Sequence, residues 1–208
     1  MRIDLLKTTP DRVGRYWITL ENGKKLALYR QTVEDFALYS GKELTDGEWK
    51  ALQEQAGIMS AKMRAVRIVS ASSVSRRDLR DRLVRKGETE EQAAQAVQWM
   101  EELHLIDDRN TAEQIVHACI SKGYGLQRAK QALYEKRIPK QYWDDALADY
   151  PDQMDKITAF LRSRLDEDSD QREVKKAIDA LIRRGHSYGT IREALKNISL
   201  DSDEFMEE

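Results

Sequence analysis

Near its C-terminus the chain reads LIRRGHSYGTIREAL, Leu181 to Leu195. An apolar residue leads into a basic pair, a glycine follows, and apolar residues resume. Upstream lie LYEKRIPKQYWDDAL at 133–147 and LVRKGETEEQAAQAV at 83–97. Leu83, Leu133 and Leu181 each stand four residues before Gly87, Arg137 and Gly185. Six residues after those come Ala93, Trp143 and Ile191, and ten after come Val97, Leu147 and Leu195. The intervals are 50 and 48 residues. A register kept at four positions over two intervals marks an internal repeat.

Each copy parses into three helices. The middle helices fall at about 75–86, 125–136 and 172–184. Their apolar faces are Leu79 and Leu83; Leu126, Ala129 and Leu133; and Val174, Ile178 and Leu181. Ser75 is an N-cap, with Asp78 three residues on. Gly87 and Gly185 supply the left-handed residue that ends a helix. Arg137 stands in that place in the second copy and Pro139 follows, so a different stop is expected there. The third helices begin at Thr89, whose capping box is completed by Gln92, near Pro139, and at Ser187. The second copy's first helix runs from Asp108 to a stop at Gly123. The third copy's begins near Asp152 and ends at the acidic loop 166–170.

The first thirty residues differ. Tyr16, Ile18 and Leu20 alternate with other residues, Glu21-Asn22-Gly23 turns the chain, and Leu26 and Leu28 resume the alternation. Asn-Gly between two such runs signals a hairpin, to which Ile3 and Leu5 add a third strand. A short helix around Val33 and Phe36 stops at Gly41. Thr45 and Glu48 form a capping box for a long helix whose stripe is Trp49, Leu52, Ala56, Met59, Met63 and Val66. The expected fold is mainly α: three tandem three-helix repeats in an elongated array, preceded by a small N-terminal β-hairpin and helix. The expected divisions are 1–44 for the hairpin region, 45–107, 108–150 and 151–200 for the repeats, and an acidic tail at 201–208.

Composition agrees with a helical protein: of 208 residues 35% are charged and 40% hydrophobic, with three prolines. No apolar run reaches the length of a membrane span, and the N-terminus lacks the apolar core of a signal peptide. The single cysteine, Cys119, excludes an internal disulfide and points to a reducing cytoplasm. The net charge of −2 conceals alternating blocks. Residues 62–88 hold nine Lys/Arg against three Asp/Glu, and 89–121 hold one against seven. Basic blocks return at 122–140 and 174–198.

Little in the chain suggests catalysis. GYGLQRAK, 123–130, lacks the spacing of a phosphate loop, and its glycines read as a helix stop and the next helix's start. His104, His117 and His186 have no spacing that would share a metal. Asp108 reads as a helix N-cap and Cys119 as a small packing residue. Neither an enzyme nor a cofactor is expected.

The basic residues are the stronger lead. Arg76, Arg77, Arg80, Arg82, Arg85 and Lys86 crowd one helix. On a helical wheel Arg77 and Arg80 take one exposed flank, Arg82 and Arg85 the other. Lys122, Arg128 and Lys130 surround the second middle helix, and Lys176, Arg183 and Arg184 belong to the third. Cations near a helix C-terminus complement its dipole, which suffices for Arg85, Lys86, Arg183 and Arg184. It does not serve Arg76, Arg77 and Arg80, which sit in or next to a first turn, so these are the first candidates for a binding role. Tyr124 and Tyr188 suit base stacking or packing at helix boundaries.

SRRDLRDRLVRKGETEEQAAQAVQWMEELHLIDD, 75–108, resembles the first helical repeat of the RecX regulatory proteins. GYGLQRAKQALYEKRI, 123–138, is similar to the second repeat, and LIRRGHSYGTIREAL to the third. RYWITLENGKKLALYRQTVEDFALYSGKELT, 15–45, resembles the hairpin and short helix that precede the repeats in one branch. The chain departs from the pattern at Ala71–Val74, where an arginine is common, at Arg137, where a glycine is usual, and at Thr111, where a larger aromatic is common. The resemblance implies a modulator of the RecA recombinase, usually an inhibitor. Such proteins bind the RecA filament on single-stranded DNA and limit its extension, ATP hydrolysis, strand exchange and co-protease activity. The chain is further expected to be a cytoplasmic monomer without a membrane partner. The competing readings are a free-standing DNA-binding protein and a general helical-repeat adaptor for another protein.

Overall fold

In the computed structural model, which describes residues 1–166 and 169–198, the chain divides into two compact units, Met1–Asp107 and Asp108–Glu208. The acidic tail at 201–208 and the middle of the 166–170 loop lie outside the described residues.

The first unit begins with strands β1 (Ile3–Leu6), β2 (Arg15–Leu20) and β3 (Lys25–Tyr29), an antiparallel sheet in that order. Tyr16 faces Leu28 and Ile18 faces Leu26 across β2 and β3. Gly23 takes a φ of 79° in the turn, where the Asn22 side chain accepts from the Lys24 amide. One sheet face buries Ile3, Ile18, Leu20 and Leu28. Helix α1 (Arg30–Asp35) is stopped by Ala37 at a φ of 44°, with the Leu38 amide on the Val33 carbonyl, and so ends before Gly41. The stop needs a left-handed residue at that spacing from Val33, and Ala37 holds the place.

Helix α2 (Asp46–Ala71) starts in the expected Thr45–Glu48 capping box. Its first half packs Trp49, Leu52 and Ala56 on the sheet. Its second half packs on α3 (Arg76–Arg85) and α4 (Glu90–Glu102), around Leu79, Leu83, Ala93, Ala96, Val97 and Met100. Here the buried stripe departs from the expected one: Ala61 and Ala65 are fully buried, while Met59 and Met63 are only half-buried. Gly57, Ala61 and Ala65 lie at four-residue steps and let α4 approach closely. A Cβ at Gly57 would sit 2.0 Å from the Gln92 side-chain nitrogen.

The second unit holds α5 (Asp108–Ser121), α6 (Leu126–Glu135), a 3-10 turn (Lys140–Tyr142), α7 (Trp143–Leu147), α8 (Met154–Arg162), α9 (Gln171–Arg183) and α10 (Tyr188–Lys196). Ala112, Val116, Leu133 and Ile138 form one small core. Ile157, Leu161, Val174, Ile178, Leu181, Ile191 and Leu195 form a larger one. Leu126, expected on the apolar face of α6, is 37% exposed because it is the first residue of its helix, beyond the reach of that core. Asp170 caps α9 in a capping box with Glu173, and Ser187 caps α10.

The middle helix of every repeat stops by one device. Gly87, Arg137 and Gly185 all have positive φ, at 94°, 56° and 85°. Their amides donate to Val84, Tyr134 and Ile182, and the following amides donate to the carbonyls of Leu83, Leu133 and Leu181 at 3.2, 3.0 and 3.2 Å. This is the paired bond of a Schellman stop. Arg137 therefore ends its helix as the glycines do, correcting the expectation of a different stop. A non-glycine residue there costs about 1–2 kcal/mol of backbone strain.

Candidate partner-binding surface

The basic helix α3 lies in the first unit, with its leucines inward and its cations outward. Arg76 pairs with Glu101 at 2.7 Å and Arg80 with Glu90 at 2.8 Å, both carboxylates coming from α4. Arg82 pairs with Asp78 on its own helix at 2.8 Å. Arg85 reaches the Asp81 carbonyl at 3.3 Å, and Lys86 is exposed at the helix C-cap. Arg77 is exposed and makes no hydrogen bond or ion pair with the described residues. The dipole argument thus has a tertiary answer at Arg76 and Arg80: acids of the next helix neutralise the first-turn cations. Exposed pairs of this kind contribute at most about 1 kcal/mol, so they can be exchanged for other anions at low cost. Farther along the same unit, Arg64 pairs with the buried Glu88 at 3.0 Å, and Lys62 lies over the Trp99 ring at 5.2 Å.

In the second unit the Gly123-Tyr124-Gly125 turn is held on every side. Gly123 stops α5 with a φ of 66°, and Gly125 is the N-cap of α6. The Gly123 carbonyl is bonded to the His186 ring at 3.0 Å. The Tyr124 carbonyl accepts from the Tyr150 hydroxyl at 2.8 Å. The Gly125 amide donates to the Arg184 carbonyl at 2.9 Å, and the Gln127 amide to the Gly185 carbonyl at 3.3 Å. The carbonyl end of α9 therefore caps the amide end of α6, joining the second and third repeats backbone to backbone. These amides are committed, and the turn is a joint between repeats with no phosphate cradle.

Around this joint the structure gathers some of the predicted cations. Arg128 and Arg183 line one groove of about 600 Å³ between α6 and α9, together with Gln131, Glu135 and Ile182. Arg128 pairs with Glu135 at 3.1 Å. Lys122 and Arg128 both act electrostatically on the Cys119 thiol. Lys130 and Lys176 are exposed on their helices, outside that groove. Arg184 turns toward α8, with its guanidinium 4.7 Å from the centre of the Phe160 ring. Arg164 lies over the same ring at 4.6 Å. Neither Phe160 nor Arg164 carries a sequence signal of its own, since the stack forms only when α8 and α9 pack.

Burial lowers the pKa of His186 below its ordinary value; the bond to Gly123 opposes the shift and the charge of Arg184 adds to it. Burial raises the Cys119 thiol and pushes the Tyr150 hydroxyl up to about 12. The Arg15 amide, joined by the Arg15 and Trp17 side chains and the Val13 amide, holds the Asp11 carboxyl well below the usual range. Each shift has a structural cause in burial or hydrogen bonding. Among the described residues no group of three or more His, Cys, Asp or Glu side chains is placed to hold a metal. No helix among them is long and apolar enough to cross a membrane.

A model of the RecX second three-helix domain matches residues 107–147, which cover α5, α6 and α7. The chain is 28% identical to the regulatory protein RecX of Vibrio parahaemolyticus over 146 residues, covering 69% of this chain and 94% of that protein. It is 25% identical to the regulatory protein RecX of Clostridioides difficile over 215 aligned positions, covering 98% and 97% of the two. A crystal structure of regulatory protein RecX has the same fold, with a TM-score of 0.64 at 23% identity over 94% of this chain and 98% of that one. The structure of RecX from Lactobacillus salivarius gives 0.59 over 69% of this chain. Along nearly its whole length, with the repeats in the same order, the chain is similar to the RecX regulatory proteins and shares their fold.

Proposed function

We propose that this protein is a non-enzymatic regulator of the RecA recombinase. It binds the RecA filament on single-stranded DNA and limits filament extension, ATP hydrolysis, strand exchange and co-protease activity. The reading is supported by similarity to RecX regulatory proteins along nearly the full chain. Three helical repeats, each with its own surface, suit many weak contacts to a repeating partner, whose effects multiply when they act together.

The contacts are assigned to the cations of the middle helices. Arg76, Arg77 and Arg80 lead, with Arg82, Arg85 and Lys86 beside them. Lys122, Arg128, Lys130, Lys176, Arg183 and Arg184 serve the second and third repeats. Arg77 is ready for a partner anion, while Arg76 and Arg80 exchange their α4 carboxylates for it. The protein acts as a cytoplasmic monomer.

The alternative is direct DNA binding without RecA, favoured by the five arginines of α3 and Lys86 at its C-cap. Fluorescence anisotropy separates the two. Binding to an oligonucleotide that tightens at moderate salt when RecA coats the strand supports the regulator. Equal binding with and without RecA, with a steep salt slope, overturns it in favour of the alternative.

A further inference from the structure

We infer that a cavity at the joint between the second and third repeats takes an uncharged primary carboxamide, the end group of a glutamine or asparagine side chain on a partner polypeptide. The inference goes beyond the regulator reading and does not depend on it. The cavity has a volume of about 440 Å³ and lies between the start of α6, the 150–153 loop and the start of α10. That volume falls in the range of about 300–1,000 Å³ usual for ligand sites. Gln153 lines it and is only 7% exposed, yet its Oε1 has no hydrogen-bond partner among the described residues. A buried acceptor left unpaired costs stability, and a donor brought into the cavity removes that cost. The flat amide can turn about its terminal bond without a change of volume, which lets the oxygen meet such a donor.

The lining also holds an unused donor. The Gly125 and Gln127 amides are taken by the Arg184 and Gly185 carbonyls. The Leu126 amide between them makes no hydrogen bond with the described residues. The Ser187 and Thr190 hydroxyls, 2.6 Å apart, add a polar edge at the start of α10. One unpaired acceptor and one unpaired donor call for a ligand group that carries both side by side, as a carboxamide does.

Charge disfavours the other ligand classes. Asp152 is the one charged side chain of the lining at neutral pH, because burial keeps the His186 ring uncharged. One Asp152 oxygen accepts from the Met154 amide at 2.9 Å, which fixes the carboxylate in place. A ligand carboxylate or phosphate would be repelled by it. An ammonium or guanidinium would meet the amide ends of α6 and α10, which carry partial positive charge. The neighbouring cations turn elsewhere: Arg128 pairs with Glu135, and Arg184 lies over Phe160. Asp149, Asp152 and Asp155 are exposed, and residues 141–155 hold five aspartates and no Lys or Arg, which disfavours a polyanion. Ile157, 1% exposed, gives the cavity an apolar floor, while the lining residues Leu126 and Pro151 are exposed. These surfaces suit a carbon stem and the polypeptide that carries it.

The test follows NMR resonances of the isotope-labelled full chain, without RecA, as probes are added. The probes are glutamine, glutamate and lysine with the same acetyl and methylamide caps, together with butyramide and thymidine. Capped glutamine is expected to shift the Leu126 amide and the Gln153 side-chain resonances saturably, with capped glutamate and lysine at least about tenfold weaker. Gln153→Met keeps the side-chain length, so it is expected to lose about fivefold or more in affinity at an unchanged or higher melting temperature. Leu126→Pro removes the N–H at a first-turn position that tolerates proline, and Gly125 before it is already extended, at φ −80° and ψ 166°. It should bind more weakly than Leu126→Ala, which keeps the N–H. No saturable shift with capped glutamine overturns the site, as does equal or tighter binding of capped glutamate, capped lysine or thymidine. Unchanged affinity in Gln153→Met overturns the role of the oxygen, and equal binding by Leu126→Pro and Leu126→Ala overturns that of the N–H. Tighter binding of butyramide than of capped glutamine gives the cavity to a free small amide and overturns the polypeptide source. RecA inhibition by the wild type stands or falls separately.

Discussion

The Gly125 amide donates to the Arg184 carbonyl at 2.9 Å, so the start of one repeat's middle helix is capped by the end of the next repeat's. The two backbones are close enough that neither glycine of the joint has room for a side chain. A Cβ on Gly125 would lie 2.1 Å from the Gly185 carbonyl oxygen, and one on Gly185 would lie 2.2 Å from the Arg128 nitrogen.

Glycines that look alike in sequence should therefore respond differently to alanine. Gly87 and Gly185 both stop a middle helix at positive φ, but nothing lies within 4 Å of a Cβ at Gly87. Gly87→Ala is expected to cost about 1 kcal/mol from backbone strain alone. Gly185→Ala should cost roughly 3 kcal/mol or more, because backbone must move. Gly125→Ala, at an ordinary φ, isolates the steric part. Denaturant melts of the three variants check the order; equal losses at Gly87 and Gly185 would remove the joint as the cause.

The same joint makes stability depend on pH. His186 has its pKa lowered from 6.5, chiefly by burial. The folded chain thus binds this proton less readily than the unfolded chain does. As pH falls below 6.5 the unfolded state takes up the proton first, and folding stability declines until the folded pKa is passed. The urea midpoint is expected to fall between about pH 7 and about pH 5.5, and His186→Gln should flatten this loss. A wild-type midpoint that rises on acidification would contradict the burial of a neutral ring.

The small-residue seam between α2 and α4 sets another contrast. Ala61 and Ala65 are fully buried, whereas Met63 is half-buried at the side of the seam. Ala61→Leu is expected to destabilise by roughly 1–3 kcal/mol through overpacking, and Met63→Ala by less. Chemical denaturation ranks the two.

Much of this fold is legible from sequence because its signals are local. The Asn22-Gly23 hairpin, the Thr45 and Thr89 capping boxes and the Ser187 cap each lie within four residues of the groups they bind. The repeated Leu83, Leu133 and Leu181 turn out to be the acceptors of the three helix stops, so the repeat register carries backbone geometry as well as core position. The stop at Arg137 is missed because residue type suggested otherwise, while the spacing from Leu133 carries the information. The Gly57–Ala61–Ala65 seam is missed when large apolar residues alone are tracked. For the candidate surface, sequence locates the cations and not their neighbours: Glu90 and Glu101 on α4, and Phe160 beneath Arg184, come into place only through tertiary packing.

Within α3 the contacts of greatest interest are Arg76, Arg77 and Arg80. Changing all three to Gln should weaken inhibition of RecA several-fold while moving the melting temperature little, because the Arg76–Glu101 and Arg80–Glu90 pairs are solvent-accessible and contribute little. Circular dichroism and a RecA strand-exchange assay on the same preparation check both halves. Full inhibition by the triple variant would reduce this helix to a solvated face.

The most direct measurement of the central proposal is the DNA-dependent ATPase of RecA, followed as this protein is added in substoichiometric amounts. The regulator reading predicts that the rate falls well before one protein is present per RecA, as filaments stop growing. A rate unchanged up to equimolar protein, with filament length also unchanged, would contradict it.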